Sequence, residues 1–559
     1  MSENPTPTAP VRTPSDLAPA AGARPVGELD VDVVDFVTGR WGNPQTPMEL
    51  SESVIKALTM LGITEPAPAP VELEEIELRE SRVSGALLDS LIAVVGEDRV
   101  AGDHAARVAH LRGYSTPDLL RVRAGDGADA PDAVVSPADH DEVVGILKAC
   151  VAHSAVLAPF GGGTSVTGGL APERSRPVVS LDLSRLSGLV AVDAESQMAT
   201  FLAGTRLPEA ERLLAEYGLE LGHLPQSYEG ATIGGAAVTR SAGQSSAGYG
   251  RFDEMVTKLR VATPIGDAEI GTAPRSAAGP DLRQLFLGSE GAFGVVTAVT
   301  VRVHPRPAVR RYAGWRFADF TQGAKAIRTL AQGAIRPTVL RLSDEAETGL
   351  NLADPKSAGG GSAPVGGCLM IVGFEGEADD VDCRDGYVSA KLAELGGTKL
   401  GEEAGEAWRT GRFRGPYLRD PLLDAGALVE TLETVTFWSN VAALKAAVTE
   451  AVTGALGGQG TLAVVMCHIS HAYPTGASLY FTVICKALDD PQAQWAIAKD
   501  AANAAIRAAG ASITHHHAIG TDHQQTYLDE IGPVQVAALR AVKSALDPAG
   551  ICNTGVLLP

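Results

Sequence analysis

Three consecutive histidines, His515, His516 and His517, stand near the end of the chain. Imidazole titrates near neutral pH, so such a cluster suits proton transfer. Tyr480 lies upstream in an apolar run typical of a strand, where an aromatic residue usually only packs. Its phenol could equally transfer a proton. The chemistry that these residue types favour is acid–base catalysis.

A metal site is the alternative use of the histidines. Adjacent residues of a strand point to opposite faces, so only His515 and His517 could share one. No Cys or carboxylate nearby completes a tetrahedral ligand set. We therefore expect no metal ion.

Two arginines are candidates for binding an anionic group. Arg419 lies in the run Pro416-Tyr417-Leu418-Arg419-Asp420, and Arg275 precedes the turn Gly279-Pro280-Asp281. A guanidinium is a planar fork that holds phosphate or carboxylate through two hydrogen bonds. An ordinary surface ion pair is the other interpretation of Arg419.

Three glycine-rich passages precede these residues. The first, Pro159-Phe160-Gly161-Gly162-Gly163-Thr164-Ser165, leaves backbone N–H groups free to surround an anion such as a diphosphate. It matches neither the dinucleotide fingerprint G-x-G-x-x-G nor the P-loop. The others span residues 225–250 and 288–294.

The elements that must position these residues are short. Strands are predicted at residues 155–160, 178–183, 189–192, 198–201 and 295–303. Helices are predicted at residues 209–217 and after Ser136-Pro137-Ala138-Asp139, with Ser136 as the N-cap. Strands and helices mixed in this way predict an α+β fold.

The order of the glycine motifs resembles the FAD-binding domain of the vanillyl-alcohol-oxidase (PCMH) type, from about residue 118 to 306. The resemblance implies bound FAD, with the first loop around the diphosphate and the later loops along the rest of the cofactor. The implied cofactor-binding residues are Pro159, Phe160, Gly161, Gly162, Gly163, Thr164, Ser165, Gln226, Ser227, Tyr228, Glu229, Gly230, Ala231, Thr232, Thr239, Arg240, Ser241, Ala242, Gly288, Ser289, Glu290, Gly291, Ala292, Phe293 and Gly294. No histidine lies in residues 159–169, so we expect noncovalent FAD.

The C-terminal half resembles the alkyldihydroxyacetonephosphate synthases, in Gly476 to Phe481, the His515–His517 run and Pro416 to Asp420. The family's reaction replaces the acyl group of acyl-dihydroxyacetone phosphate by a long-chain alcohol through a flavin N5 adduct, a step of ether lipid synthesis without net redox change. The resemblance implies Tyr480 and the histidines as catalytic groups, with Arg419 and Arg275 as substrate-binding groups.

Two departures from that family put the substrate's phosphate in doubt. After the histidines the family carries Gly-Val-Gly and basic residues, where this chain has Ala518-Ile519-Gly520-Thr521-Asp522. His468 stands where the family has an arginine. Both changes remove positive charge.

Two other functions remain open at this point. An FAD-dependent dehydrogenase or oxidase of a 2-hydroxy acid, of the D-lactate or glycolate type, would share the glycine loops. It would more typically carry Gly-Glu-His-Gly in place of His515-His516-His517-Ala518. A flavin-binding protein without catalysis would need none of the candidate acid–base residues.

The resemblance and composition together predict five segments. They are a disordered tail (1–30), a helical and irregular region (31–129), the FAD-binding domain (130–306), a substrate or cap domain (307–525) and a C-terminal helix and tail that pack back on the FAD domain (526–559). The tail is rich in Pro, Ala and Thr, a composition typical of disorder.

Composition narrows the partners and the location. The net charge of −21 disfavours nucleic acid. The six cysteines are scattered, as in a cytosolic protein with reduced thiols. No run approaches the roughly 20 apolar residues of a membrane span. We expect a cytoplasmic protein with lipid or small-molecule substrates, a peripheral contact with the membrane, and pairing as a homodimer.

Overall fold

The computed structural model describes residues 31–350 and 366–559. The predicted tail (1–30) lies outside the described residues. Helices and strands are interspersed along the described chain, which confirms the predicted α+β class. For description we divide it into an N-terminal segment (31–129), a middle unit (130–306) and a C-terminal unit (307–559).

The N-terminal segment consists of short helices and strands joined by irregular stretches. Its helices are α1 (Glu52–Met60), α2 (Gly85–Val95), α3 (His104–Ala109) and α4 (Thr116–Arg123), and its short strands are β1 (Glu77–Leu78), β2 (Val100–Ala101) and β3 (Asp126–Gly127).

The middle unit contains two sheets, built from β4 (Ala133–Val135), β5 (Val156–Phe160), β6 (Val178–Asp182), β7 (Leu189–Asp193), β8 (Met198–Leu202), β9 (Leu219–Glu220), β10 (Val256–Thr263), β11 (Gly266–Ile270), β12 (Val295–Arg302) and β13 (His304–Pro305). One sheet has the order β2-β4-β6-β5 and the other β11-β10-β12-β8-β7, while β9 and β13 pair separately. The helices are α5 (His140–Ala152), α6 (Leu207–Ala215), α7 (Ile233–Val238), α8 (Ser246–Tyr249), α9 (Phe252–Met255) and α10 (Arg283–Phe286).

The start of α5 corrects a prediction. The N-cap is Asp139, whose carboxylate accepts the backbone N–H of Glu142, and the helix begins at His140. Ser136 was therefore the wrong cap. The positive end of the helix dipole also stabilises this carboxylate. Asp139 has an extended backbone, as an N-cap residue does, and the helical conformation begins at the next residue.

The C-terminal unit is built on one antiparallel sheet, in the order β17-β14-β16-β15-β19-β20-β18. Its strands are β14 (Val309–Phe317), β15 (Val339–Ser343), β16 (Cys368–Gly376), β17 (Thr398–Gly401), β18 (Ala427–Phe437), β19 (Ala463–Ile469) and β20 (Gly476–Lys486). Its helices are α11 (Phe320–Ala331), α12 (Glu345–Gly349), α13 (Ala378–Glu394), α14 (Glu403–Gly411), α15 (Arg419–Asp424), α16 (Val441–Gly458), α17 (Pro491–Ala508) and α18 (Gln524–Leu546).

The two units share one apolar core, which contains Phe201 and Phe293 of the middle unit with Leu342 and Phe481 of the C-terminal unit. Residues after α18 return to the middle unit: the backbone of Leu157 donates to Ile551 and accepts from Asn553. This packing fixes the positions of the two units relative to one another. Within the described residues, no helix combines the length and apolar character that crossing a bilayer requires.

Candidate active site

The first glycine loop follows β5 and lies against the second. A Cβ atom on Gly161 would come within 2.5 Å of the Thr232 hydroxyl oxygen, and one on Gly162 within 1.8 Å of the Gly230 carbonyl oxygen. Gly163 has a φ of +69°, in the left-handed region that favours glycine. The loop is therefore closely packed and has no side chains at its three central positions.

The second passage is held by its own side chains. The Thr232 hydroxyl caps α7 by accepting the backbone N–H of Gly235 at 3.1 Å. The side-chain amides of Gln226 and Gln244 both donate to the carbonyl of Arg412, at 2.8 and 3.1 Å. These two bonds join the middle unit to the C-terminal unit beside the cavity.

Glu290 ties the third passage to the loop that follows the histidines. Its carboxylate accepts the backbone N–H groups of Ile519 and Gly520 at 3.0–3.1 Å. Burial raises the pKa of Glu290 to about 7, although these hydrogen bonds favour the ionised form.

The three passages and the C-terminal sheet enclose one cavity of 380 Å³. The cofactor-site candidates that line it are Pro159, Gly161, Gly162, Gly163, Thr164, Ser165, Gln226, Ser227, Ala231, Thr232, Thr239, Ser241, Ala242, Glu290, Gly291 and Gly294. We call the cavity surface formed by these residues the glycine wall.

The remaining cofactor-site candidates do not line the cavity. They are Phe160, Tyr228, Glu229, Gly230, Arg240, Gly288, Ser289, Ala292 and Phe293. Tyr228 is fully buried with its ring stacked on Phe413, at 5.0 Å between centroids, and Glu229 accepts a hydrogen bond from the Tyr417 hydroxyl. These side chains support the loops from behind.

The glycine wall fits FAD. Close approach of a diphosphate to backbone N–H groups requires positions without side chains. At Gly161 and Gly162 a Cβ would collide with the neighbouring loop, so these positions stay bare. The cavity continues from there to Tyr480 and His516, which lets an elongated cofactor reach the acid–base residues.

The opposite surface is built from side chains of the C-terminal sheet, of α12, of the segment after β19 and of the histidine run. Those that line the cavity are Arg341, Glu347, His468, His471, Tyr480, His516 and His517, which we call the histidine wall. Tyr480 on β20 pairs in register with His468 on β19 and with Glu433 on β18. The rings of Tyr480 and His468 stack at 4.8 Å. Burial raises the pKa of Tyr480 to about 12, so the phenol keeps its proton at neutral pH.

Glu433 holds the backbone of the histidine run. Its carboxylate accepts the N–H of His515 at 2.7 Å, those of His516 and His517 at 3.1 Å, and the Thr514 hydroxyl at 2.5 Å. Burial acts to raise the pKa of Glu433, but the imidazoles and Thr514 bring it well below its ordinary value. The three histidines therefore lie in a turn around one buried carboxylate.

The histidine side chains form a network. His515 Nδ1 lies 2.9 Å from His516 Nδ1, and His515 Nε2 lies 2.6 Å from the Tyr473 hydroxyl. His516 and His517 line the cavity, while His515 lies behind them. Burial lowers the pKa of all three, so their rings are neutral at pH 7.

His471 joins this network although the sequence did not single it out. Ligand nitrogens of His471, His515 and His516 lie within 4.8 Å of one another, an arrangement that could hold a metal ion. Hydrogen bonds already engage them: His471 Nδ1 lies 2.7 Å from the Ser246 hydroxyl. At 2.9 Å, the nitrogens of His515 and His516 are at hydrogen-bond distance, shorter than the roughly 3.3 Å between two ligands of a tetrahedral metal.

Arg419 lines the cavity at the start of α15. Its guanidinium lies 5.5 Å from the ring centre of Trp41, which lines the same cavity. Its Nε and one terminal nitrogen have no hydrogen-bond partner among the described residues. Arg419 is thus a cation that lines the cavity and has two buried nitrogens without a hydrogen-bond partner. Arg275 is exposed and does not line the cavity, so the structure does not bring these two arginines together.

A second arginine, Arg341 on β15, lies where the sequence indicated missing positive charge. It forms an ion pair with the buried Glu347, whose other oxygen lies 2.9 Å from His468 Nδ1. Burial acts to raise the pKa of Glu347, but the charges of His468 and Arg341 bring it to about 2. Sequence reasoning missed this pair, and its one signal was the position of Arg341 among apolar residues of a strand.

Comparisons with known proteins agree with this arrangement. Residues 131–270 match the model of the FAD binding domain, and residues 306–557 match the C-terminal domain of the FAD linked oxidases. An alkyldihydroxyacetonephosphate synthase of Trypanosoma brucei brucei is 34% identical over 88% of this chain and 84% of its own. The enzyme of that name from Dictyostelium discoideum is 31% identical over 90% and 86%. A solved alkyldihydroxyacetonephosphate synthase superposes with a TM-score of 0.80 at 27% identity, over 93% of this chain and 98% of that one.

Proposed function

Since the chain belongs to the alkyldihydroxyacetonephosphate synthase family, within the FAD-linked oxidases, we propose that it exchanges the acyl group of acyl-dihydroxyacetone phosphate for a long-chain alcohol. The product would be an ether lipid precursor. One observation carries the proposal: the glycine wall faces Tyr480, His516 and Arg419 across a single cavity.

The chain is an FAD-dependent enzyme. In the proposal, Gly161 to Ser165 surround the diphosphate of FAD, and the loops at 226–244 and 288–294 hold the rest. When bound, the flavin supplies the nucleophile for a substitution without net redox change. The chain's own residues bind and orient the two substrates and move the proton.

Arg419 is proposed to bind the phosphate of the substrate. Its unpartnered N–H groups suit a bidentate anion, and its stacking on Trp41 keeps the fork in place. Arg341 is less suited, because Glu347 already balances its charge. Arg275 would contribute only if its exposed loop moved toward the cavity.

The apolar end of the cavity suits the hydrocarbon chains. It is lined by Trp41, Leu418, Leu422, Val429 and Ile484. Burial of an alkyl chain stabilises binding by roughly 0.8 kcal/mol for each CH₂ group. The apolar surface and Arg419 line the same cavity. A fatty-acid ester that also carries a phosphate requires both.

Tyr480 and His516 are proposed as the acid–base pair. The Tyr480 phenol is protonated at neutral pH, so its hydroxyl can donate a hydrogen bond to the departing carboxylate. His516 is neutral and lines the cavity, so its ring can accept the proton of the entering alcohol. In this scheme His517 orients the alcohol, and His515 acts through His516.

The test is a product assay on FAD-loaded protein. Palmitoyl-dihydroxyacetone phosphate and labelled hexadecanol should give alkyl-dihydroxyacetone phosphate and palmitate in equal amounts, measured by mass spectrometry. An electron-accepting dye should stay oxidised. Dye reduction by D-lactate or glycolate, without ether product, would instead identify the hydroxy-acid dehydrogenase of the alternative hypothesis.

Three further proposals concern the state of the protein. We expect noncovalent FAD, because no histidine lies in the first glycine loop, and acid precipitation should leave the yellow colour in the supernatant. A cytoplasmic protein with a lipid substrate should bind phospholipid vesicles peripherally, and co-sedimentation tests this. Light scattering should give twice the chain mass if the proposed homodimer forms.

A further inference from the structure

A chain of hydrogen bonds leads away from the cavity through the histidine run. His516 lines the cavity, and its Nδ1 lies 2.9 Å from Nδ1 of His515. The other ring nitrogen of His515, Nε2, lies 2.6 Å from the Tyr473 hydroxyl. Three groups that can both accept and release a proton are therefore joined in series.

The outer end of this chain approaches the surface. His515 is buried, Tyr473 is half-buried, and the next residues, Pro474 and Thr475, are exposed. The Arg251 guanidinium lies beside the Tyr473 hydroxyl. The series thus runs from the cavity, through a buried imidazole, to the half-buried Tyr473.

The proposed reaction produces a proton that such a route can carry, and the inference rests on that proposed function. The ester C–O bond to the fatty acid breaks, the ether C–O bond to the alcohol forms, and the alcohol loses its O–H proton. The fatty acid leaves as a carboxylate at neutral pH, because a carboxylic acid ionises near pH 4–5. Each turnover therefore releases one proton inside the cavity.

We propose that His516, His515 and Tyr473 carry this proton from the cavity to solvent. His516 takes the alcohol's proton at Nε2 and passes its Nδ1 proton to His515 Nδ1. His515 passes its Nε2 proton to the Tyr473 oxygen, whose own proton leaves to water. Reorientation of the rings and hydroxyl restores the starting state, and no co-reactant other than water is needed.

The surroundings of the two imidazoles support this use. Burial keeps both rings neutral at pH 7, so each has one N–H and one free nitrogen. Glu433 fixes the backbone of both residues, which leaves the ring nitrogens to bond one another and Tyr473. The other ionisable groups that face them are Arg251, His468, His471 and His517.

The experiment compares two Tyr→Phe variants of the FAD-loaded enzyme. Tyr473→Phe removes the outer hydroxyl of the series. Tyr249→Phe is the matched control, because its hydroxyl makes a hydrogen bond of the same 2.6 Å length, to Glu375, and its ring also contacts a histidine ring. We expect kcat of Tyr473→Phe to fall about tenfold to a hundredfold with KM unchanged. Its solvent deuterium isotope effect should rise, and added imidazole buffer should restore the rate. Tyr249→Phe should show neither change.

Equal isotope effects in the two variants, or no response to buffer, would overturn the proton route. If wild-type enzyme makes no ether product, the proposed function fails instead, and ¹⁵N-histidine NMR of the same protein still tests the series. The histidine signals are assigned with the variants His515→Gln and His516→Gln. In Tyr473→Phe, the signals of both His515 and His516 should shift. Unmoved signals, or one equivalent of tightly bound zinc in the purified enzyme, would contradict the route.

Discussion

The glycine wall and the histidine wall enclose the same cavity but are built in opposite ways. The glycine wall presents backbone, and its shape depends on side chains that are absent, as at Gly161 and Gly162. The histidine wall presents titratable side chains, and its shape depends on strand register, as in the pairing of Tyr480 with Glu433. One wall is specified by sterics within short segments and the other by contacts between distant ones.

The difference predicts how each wall responds to substitution. Adding atoms should damage the glycine wall, since there is no space for them. Removing a polar group should damage the histidine wall, since its partner is left buried and unpaired. Substitutions in the two walls should also change different measured quantities. Those in the glycine wall should change FAD binding, and those in the histidine wall should change turnover and its pH dependence.

The largest effect is expected from Gly162→Ala. The added Cβ would lie 1.8 Å from the Gly230 carbonyl oxygen, so one of the two loops must move. We expect protein without bound FAD and a loss of about 3 kcal/mol in the free energy of unfolding. Flavin absorbance per protein and urea unfolding measure both.

The matched control is Gly454→Ala in α16, where a Cβ would meet nothing within 4 Å. Full FAD content and a gain of about 0.5–1 kcal/mol are expected, since alanine favours a helix. A yellow Gly162→Ala protein of normal stability would break the steric account of the glycine wall.

Glu347→Gln should destabilise the histidine wall by about 3 kcal/mol at pH 7, because Arg341 loses its buried partner. The pKa of Glu347 is about 2 in the folded chain against an ordinary 4.5. Its contribution is therefore present above pH 4.5 and lost as pH falls toward 2. Urea unfolding at pH 7, 5 and 3 should show the gap between wild type and variant closing.

The control for this pH series is Glu394→Gln, which removes a largely exposed carboxylate paired with Lys391. No measurable change in the free energy of unfolding is expected at any pH, because solvent screens such a pair. A constant gap between wild type and Glu347→Gln would show that the carboxylate charge is not what stabilises this wall.

Tyr480→Phe should sharpen the division between binding and turnover. It removes one hydroxyl and keeps the ring that stacks on His468. We expect kcat to fall about a hundredfold, with FAD content and KM unchanged. Tyr387→Phe, at a 49% exposed tyrosine, is the control and should keep full activity. Loss of FAD in Tyr480→Phe would contradict the assignment of FAD binding to the glycine wall and of turnover to the histidine wall.

A smaller effect, about tenfold in kcat, is expected for Glu433→Gln, because an amide offers one accepting oxygen to the N–H groups that share the carboxylate. The negative charge of Glu433 raises the pKa of His516, so removing it lowers that pKa. The acidic limb of the pH–rate profile should therefore move to lower pH. Glu433→Asp, which keeps the charge, should leave that limb in place. If the acidic limb does not move in Glu433→Gln, the charge of Glu433 does not set the pKa of His516.

The two walls also differ in how far the sequence predicted them. Local sterics and turn chemistry indicated the first loop, and the strand predicted at 155–160 is β5, Val156–Phe160. Glu433, Glu347 and His471 were not predicted, because only the register of distant strands brings them to the site. Arg275 resembled a family residue by motif, yet it lies on an exposed stretch that no contact carries to the cavity.

The return of the chain after α18 has a consequence for how the enzyme is made. The Asn553 side chain donates to the Gly169 carbonyl, 384 positions away in the sequence. The backbones of Asn553 and Ile551 also hydrogen-bond to Leu157 in β5. A ribosome releases the first glycine loop long before it adds these residues. The loop therefore gains this support only once translation has reached residue 553, so stable flavin loading should come after the synthesis of these residues rather than with that of the loop.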